Sequence, residues 1–307
     1  MYLLRCLVVS LGVFFLLYAA FSGLLAVCWR FIKKPANATV LFALRVLPMF
    51  AAGAVVLLFT MPSFLYLEPH AVEEEFGVSG LAMALCGAGI IVVGVVSMLV
   101  AWLRASRFVA ACTANSRPLN TDVGVPAFEM SCAAPALLVS GVCRPRLLVS
   151  GQAAELLNSS EMEVAIQHEM AHVRRRDNLK KMVLRFCRFP FLSGLEREWL
   201  TAAEMAADDA AVTDERTALD LASALIKIAR ASGGMVAPEL AMSLVPEKGA
   251  CLSARIQRLL AWQRPVSARS PYLRKMAALA GLVAVAVVVN YSWVLGQMHE
   301  FTELLVR

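Results

Sequence analysis

The amino-acid sequence predicts an α-helical membrane protein with four transmembrane helices and a cytoplasmic α+β domain. The 307-residue chain is 59% hydrophobic and has a mean hydropathy of +0.67, far above the balance of soluble proteins. Four segments lack Asp, Glu, Lys and Arg and are as long as the roughly 20 apolar residues that cross a bilayer. These predicted spans are Cys6–Trp29, Val46–Leu67, Phe76–Leu103 and Met276–His299.

The predicted spans divide the chain into four regions, and the charged residues orient them. We expect three spans within residues 1–103, a soluble domain over 104–275, a fourth span over 276–299 and a short outer tail over 300–307. The first span is longer than a signal-peptide core, so we expect it to remain as an anchor. Lys and Arg flank the spans beside the soluble domain, whereas the loop after the second span has only Glu as its charged residues. The positive-inside rule therefore predicts an outer N-terminus and a cytoplasmic soluble domain.

The charge and the cysteines limit the classes of partner and cofactor. The net charge of +6 is essentially that of the soluble domain, which suits a domain held against anionic lipid head groups and makes the bilayer the expected partner. No nucleic-acid reader motif is visible, so nucleic acid is not an expected partner. None of the eight cysteines forms a C-x-x-C pair, which gives no support to a Cys-ligated metal site.

The first part of the soluble domain has the pattern of a small sheet. Three short apolar runs, Phe108–Thr113, Ala136–Ser140 and Arg146–Ser150, are the predicted strands. The segment 141–145, which contains Gly and Pro, is a predicted turn that joins the last two strands as a hairpin.

The second part of the soluble domain has the pattern of helices. A long helix is predicted over Glu161–Arg188, because this range contains neither Pro nor Gly. Ser160 and Glu163 form its predicted capping box. Three later helices are predicted, Glu196–Val212, Thr217–Ala231 and Leu252–Trp262. A loop containing Pro238 and Pro246 is predicted between the last two of them.

The long helix contains the sequence His168-Glu169-Met170-Ala171-His172. Residues four apart lie on one face of a helix, so both imidazoles reach a single metal ion. Glu169 lies beside the first histidine, where its carboxylate can take a proton from a water that the metal activates. This pattern predicts zinc-dependent hydrolysis. The many Arg and Lys residues that follow cannot lie in hydrocarbon, which places the site at the membrane surface.

A catalytic zinc site needs a third protein ligand. The extended motif with a third histidine is absent, because Arg175 and Asn178 occupy its Gly and His positions. The remaining histidines, His70 and His299, are predicted to lie on the outer side. The third ligand is therefore expected to be an acid, and Glu204 is the best placed. Glu196 and Glu198 are its competitors.

Two aspartates are candidates for the residues that orient the ligands. Asp208 lies one turn after Glu204 and can accept a hydrogen bond from the second nitrogen of a ligand imidazole. Asp177 and the arginines before it can form ion pairs that tie the motif helix to its neighbours. The group that stabilises the oxyanion stays open among the metal, Asn178, an Arg and backbone amides.

The motif and its surroundings resemble the BlaR/MecR family of membrane zinc metallopeptidases. The likeness extends to the segment 141–145, to Glu204-Met-Ala-Ala-Asp208 and to Ala254–Leu260. It implies a zincin-like, two-His-one-Glu domain in a bacterial inner membrane. His168, His172 and Glu204 would then bind one Zn²⁺, and Glu169 would be the catalytic base. Members of the family act as antirepressors or sensor-transducers, but this chain has no extracellular penicillin-binding segment, so antibiotic sensing is not implied.

The sequence therefore predicts a membrane-anchored zinc endopeptidase in signal-responsive regulation. Its expected substrate is a cytoplasmic or membrane-associated protein, such as a repressor or the chain itself. The alternative is a non-catalytic signal transducer or scaffold with a structural zinc site, which works with a separate sensor or regulator protein. A catalytic site keeps a coordination position open for water, whereas a structural site is closed.

Overall fold

The computed structural model describes most of the chain. It is mostly helical in this part and contains one five-stranded mixed sheet. The Cα positions group into two compact units, the first made of Met1–Lys33, Val46–Val93 and Pro265–Arg307, the second of Lys34–Arg45 and Gly94–Arg264. The described residues are 2–31, 37–67, 77–114, 116–119, 124–130, 137–188, 192–231, 241–243, 249–263, 281–282, 285–286 and 288–306.

Three helical segments within the described residues are long and apolar enough to cross a membrane. The first is α1 (Tyr2–Trp29). The second joins α2 (Ala38–Val55), a π-helical turn (Val56–Thr60) and α3 (Met61–Leu67), and the third is α4 (Val78–Ala114). These segments contain the first two predicted spans and residues 78–103 of the third.

Of the predicted fourth span, Met276–His299, residues 276–280, 283–284 and 287 lie outside the described residues. The last helix of the described chain, Tyr291–Val306, overlaps this predicted span over residues 291–299. The division of the chain into a three-span region, a soluble domain, a fourth span and a tail stays a prediction.

Glycine lets two of the membrane helices approach closely. A Cβ atom added to Gly87 of α4 would collide with the backbone carbonyl of Leu11 in α1. Small residues permit such contacts in membranes, where packing rather than the hydrophobic effect holds helices together.

Helix α4 does not end at the predicted membrane boundary. It continues to Ala114, so the prediction of a strand over Phe108–Thr113 is wrong. The last turns instead pack Phe108 and Cys112 against Leu138 and Leu148 of the sheet. Burial of these side chains favours a continued helix over a separate strand.

The sheet has the order β1-β2-β4-β3-β5, with β2 and β4 parallel and the other pairs antiparallel. The predicted hairpin is confirmed, with Val139 opposite Leu147. Its turn needs glycine, because Gly141 has φ of 102°. Strands β1, β2 and β5 were not predicted, and β5 lies inside the stretch predicted as a loop. The strands are β1 (Arg117–Leu119), β2 (Ala127–Met130), β3 (Leu137–Ser140), β4 (Arg146–Ser150) and β5 (Ala241–Ser243).

Six helices of the second unit follow the hairpin in the described chain, and β5 lies between the fifth and the sixth of them. One face of the sheet, with Leu137, Val139 and Leu147, forms a core with α6 and α9, and Leu259 of α10 joins it. The other face meets the end of α4, so both faces of β3 are buried. The helices are α5 (Gly151–Leu156), α6 (Ser159–Arg175), α7 (Asp177–Phe186), α8 (Ser193–Ala211), α9 (Glu215–Ala231) and α10 (Gly249–Leu260). The helix Tyr291–Val306 is α11.

The predicted single helix over Glu161–Arg188 is two helices, so that prediction is wrong. Helix α6 ends at Arg175, and Arg176 has φ of 55° and ψ of 41°, which is left-handed backbone. This conformation costs a non-glycine residue about 1–2 kcal/mol. Neither Pro nor Gly marks the break, and its cause lies in the contacts of the residues that follow.

The N-terminus of α6 is capped by Asn158 and Glu161, so the predicted capping box of Ser160 and Glu163 is wrong. The Asn158 side chain accepts from the Glu161 amide, and the Glu161 carboxylate accepts from the Asn158 amide. The same carboxylate accepts hydrogen bonds from Ser223 and Lys227 of α9. Glu161 therefore both caps α6 and ties it to α9.

We expect Glu161→Gln to lower the free energy of unfolding by about 1–2 kcal/mol at pH 7, because it removes a charged cap and an ion pair. Burial alone would raise the pKa of Glu161, but its contacts with Lys227, Ser223 and Asn158 lower the pKa overall. The stabilisation is therefore present above the ordinary carboxyl pKa of about 4.5 and is lost as pH falls below it. Thermal unfolding in detergent micelles at pH 7 and pH 4 measures this, with the exposed Glu163→Gln as the control.

Candidate metal centre

Two histidines on adjacent turns of α6 form the centre of the site. His168 and His172 are buried, and their Nε2 atoms lie 3.2 Å apart. The rings meet edge to face, with centroids 4.8 Å apart. The i, i+4 spacing on a regular helix is sufficient to produce this pairing.

An aspartate lies at the outer nitrogen of each ring. His172 Nδ1 is 2.9 Å from Asp177 Oδ2, and His168 Nδ1 is 3.0 Å from Asp208 Oδ1. A carboxylate oxygen repels a nitrogen lone pair, so these contacts favour a hydrogen on each Nδ1, although only the contact of His172 has hydrogen-bond geometry. In the neutral rings, both Nε2 atoms then present lone pairs to each other. This arrangement requires a cation between them, either a proton or a metal ion.

The pKa of His168 shows that the surrounding carboxylates stabilise a positive charge in the site. Burial lowers this pKa, but the contacts with Asp208 and Glu204 outweigh the burial and raise it to about 9. For His172, burial is the larger effect and lowers the pKa in spite of Asp177. A proton bound at one ring nitrogen therefore competes with a metal ion for the position between the rings.

Glu204 of α8 completes a group of three potential ligands. Its Oε2 lies 3.6 Å from His168 Nε2, and its Oε1 lies 3.7 Å from His172 Nε2. One ligand atom from each of the three residues lies within 4.8 Å of the others. Ala203 and Ala207 beside Glu204 are fully buried, and such small side chains let α8 pack closely on α6. Two imidazoles and a carboxylate match the donor set that zinc prefers in catalytic sites.

The structure separates Glu204 from its competitors. Glu196 and Glu198 lie near the start of α8, and neither belongs to the group that the described residues bring together. Burial would raise the pKa of Glu204, but the charges of Arg255 and the two histidines lower it. Glu204 is therefore a carboxylate, the form that binds a metal ion.

The left-handed turn at Arg176 explains the position of Asp177. The turn brings Asp177 back towards the end of α6, where it contacts His172. Lys180 Nζ and Arg175 Nε lie 2.9 Å and 3.3 Å from its carboxylate. Burial would raise the pKa of Asp177, but His172 and Lys180 lower it. Asp177 thus combines the expected ion pairs with a contact to a potential ligand.

Glu169 lies beside the histidines and faces strand β3. Its Oε2 accepts a hydrogen bond from the Val139 amide at 2.9 Å, whereas its Oε1 is buried without a partner in the described part of the chain. Burial raises the pKa of Glu169 to about 8. The carboxyl group is therefore held by one oxygen and has the other available for a proton.

Asn178 has a structural role that the sequence did not indicate. Its side-chain amide donates to the carbonyls of Val139 and Gly141, at 3.2 and 3.1 Å. These bonds attach α7 to the end of β3. Because both amide hydrogens are used, Asn178 does not serve as the oxyanion donor.

Two basic residues near the site were not predicted. Arg255 of α10 is fully buried, and its guanidinium contacts both Glu204 and Asp208. Lys181 lies on α7 one turn after Asp177, and burial lowers its pKa to about 8, although the charges of Glu204, Asp177 and Glu169 oppose this shift. The only sequence signal for Arg255 was the family likeness of Ala254–Leu260, and Lys181 had none.

A family model described as BlaR1 peptidase M56 matches residues 81–259, more than half of the chain. The chain belongs to the BlaR1 peptidase M56 family. The predicted BlaR/MecR resemblance is thereby confirmed. The matched range contains His168, His172, Glu204 and Arg255. No curated protein matches the chain at a significant level.

Family membership and the three apolar helices identify a membrane protein with a metallopeptidase-type domain. The group of His168, His172 and Glu204 is consistent with this class.

We expect the purified chain in detergent to bind one divalent ion, and Glu204→Gln to weaken binding at least 100-fold, because a neutral amide replaces a charged ligand. Glu196→Gln is the matched control, since it makes the same change on the same helix. Metal content after dialysis and isothermal titration measure the effect. Equal loss in both variants would contradict the assignment of Glu204.

Metal binding is also expected to depend on pH. Because the contacts with Asp208 and Glu204 raise the pKa of His168 to about 9 without metal, we expect binding near pH 7 to release at least one proton. The apparent affinity for Zn²⁺ should then rise at least about tenfold per pH unit between pH 6 and pH 8. Titrations in buffers of different ionisation enthalpy count the released protons, and an affinity independent of pH would contradict this expectation.

Proposed function

We propose that this chain is a membrane-anchored, zinc-dependent endopeptidase. The observation that carries the proposal is the position of Glu169, a buried carboxyl group beside two imidazoles that need a cation, with one oxygen that has no hydrogen-bond partner among the described residues. The M56 family match supports the peptidase class.

His168, His172 and Glu204 would hold the zinc ion. Three protein ligands are the number typical of catalytic zinc sites, whereas structural sites use four. A bound zinc ion would supply Lewis-acid chemistry, polarising the peptide carbonyl and lowering the pKa of water. Asp177 and Asp208 would hold the two imidazoles with Nε2 towards the ion.

Glu169 would act as the general base and then as the general acid. Burial raises the pKa of Glu169 to about 8 without metal, and the positive charge of a bound zinc ion would lower this pKa and favour the carboxylate. The Oε1 atom then takes a proton from the attacking water, whose oxygen bonds to the carbonyl carbon. The proton then passes to the leaving nitrogen as the C–N bond breaks. The Val139 amide holds Oε2 throughout, which keeps the carboxylate in one orientation. A structural zinc site would have no use for a buried base in this position.

The charge pattern supports a cytoplasmic active site. Arg104 and Arg107 lie on α4 after its apolar part, and in the chain they precede the sheet and the helices of the metal centre. By the positive-inside rule, the side on which these arginines lie is the cytoplasm of a bacterial inner membrane. The substrate would then be a cytoplasmic or membrane-associated protein, such as a repressor or the chain itself. A separate sensor or regulator protein would supply the signal.

We expect Glu169→Gln to retain zinc and to lose proteolysis by at least about 10³-fold, because the amide cannot take the proton. Cells with wild-type or Glu169→Gln protein are compared by mass spectrometry of new protein N-termini. Glu163→Gln, an exposed change on the same helix, is the control. A substrate appears as a fragment present in the wild type and the control only. The proposal fails if purified Glu169→Gln protein cleaves that substrate at the wild-type rate.

A further inference from the structure

We infer that Arg255 is a positioning residue of the metal centre, which holds Glu204 and Asp208 together and thereby sets the affinity of the site for its ion. The inference rests on the proposed function, because it assigns a metal ion to the group of His168, His172 and Glu204. It extends the site from α6 and α8 to a third helix, α10.

The guanidinium of Arg255 contacts two carboxylates at once. Its Nε and Nη2 donate to Asp208 Oδ2 and Oδ1 at 2.9 and 2.7 Å, the geometry of a bidentate pair. Its Nη1 lies 3.0 Å from Glu204 Oε2. Arg255 is fully buried, so water does not screen these contacts.

The charges explain why this position needs an arginine. Glu204 and Asp208 lie one turn apart on α8 and are both buried, so their negative charges repel. Without a positive charge between them, this repulsion would push the two carboxylates apart and out of their contacts with the histidines. The guanidinium of Arg255, which contacts both carboxylates, offsets the repulsion and holds them together.

The contacts also determine orientation. Asp208 lies against the Nδ1 of His168, so fixing Asp208 fixes that ring. Glu204 has one oxygen beside Arg255, which turns the carboxylate and leaves its other oxygen directed at His172. One side chain from α10 thus orients two of the three potential ligands.

The other aspartate of the site is held differently. Asp177, which contacts His172, is paired with Lys180 and Arg175, and both of these bases are partly exposed. Within the described chain, a fully buried base therefore pairs with Glu204 and Asp208 but not with Asp177. Separating α10 from α8 would remove Arg255 from the site and leave all three potential ligands in the chain.

The test uses the full-length chain in detergent micelles, stripped of metal with a chelator and titrated with Co²⁺, whose visible absorption reports its ligand geometry. Arg255→Lys keeps the positive charge but cannot reach two carboxylates with a planar fork. We expect it to weaken Co²⁺ binding about 10- to 100-fold and to change the absorption of the bound ion. Arg255→Gln should have a larger effect, and Arg255→Lys decides the matter if Arg255→Gln does not fold.

Arg258→Lys is the matched control. Arg258 lies one turn later on α10 and also binds α8, through the Met205 carbonyl at 2.7 Å and Asp209 at 2.8 Å. Its closest approach to Asp208 is 3.9 Å. We expect Arg258→Lys to keep the wild-type Co²⁺ affinity and spectrum.

The outcomes separate this inference from the proposed function. Wild-type affinity and spectrum in Arg255→Lys would overturn the inference, and so would an equal loss in Arg258→Lys, since the loss would then come from helix packing. If the wild-type chain itself binds no Co²⁺ or Zn²⁺, the proposed function fails. Loss confined to the Arg255 variants supports the inference.

Discussion

The structure of the second unit depends on one electrostatic constraint, the need for a cation between the Nε2 atoms of His168 and His172. The two Nε2 atoms lie 3.2 Å apart, and the Nδ1 atoms of His168 and His172 lie against Asp208 and Asp177. Each aspartate comes from a different helix, so the constraint determines how α7 and α8 pack on α6. Buried charges are stable only when they are paired, and the bases around the site serve that purpose.

The break between α6 and α7 follows from the same constraint. A continuous helix would carry Asp177 away from the preceding turn, whereas the left-handed residue Arg176 lets Asp177 reach His172. The turn also lets Asn178 bind the end of β3. The backbone cost of about 1–2 kcal/mol is offset by charged hydrogen bonds worth about 1.5–3 kcal/mol each.

Strand β3 connects the metal centre to the rest of the second unit. The Val139 amide binds Glu169, and the Val139 carbonyl binds Asn178. On one side of the strand, Leu137 and Val139 join the core with α6 and α9, and on the other Leu138 meets the last turns of α4. The base is therefore held by a strand whose two faces are both packed, which keeps its free oxygen in a defined place.

The sequence by itself determined the features that depend on neighbours in the chain. The spacing of His168 and His172, the apolar helices and the hairpin around Gly141 follow from helix period, hydrophobicity and turn chemistry. The choice of Glu204 needed the tertiary structure, because Glu196 and Glu198 have the same chemistry and only the packing of α8 separates them. The same is true of Arg255, which meets Asp208 across 47 residues of chain. The turn at Arg176 and the helical path of Phe108–Thr113 also carry no local signal, since their energy comes from contacts with residues far away in the chain.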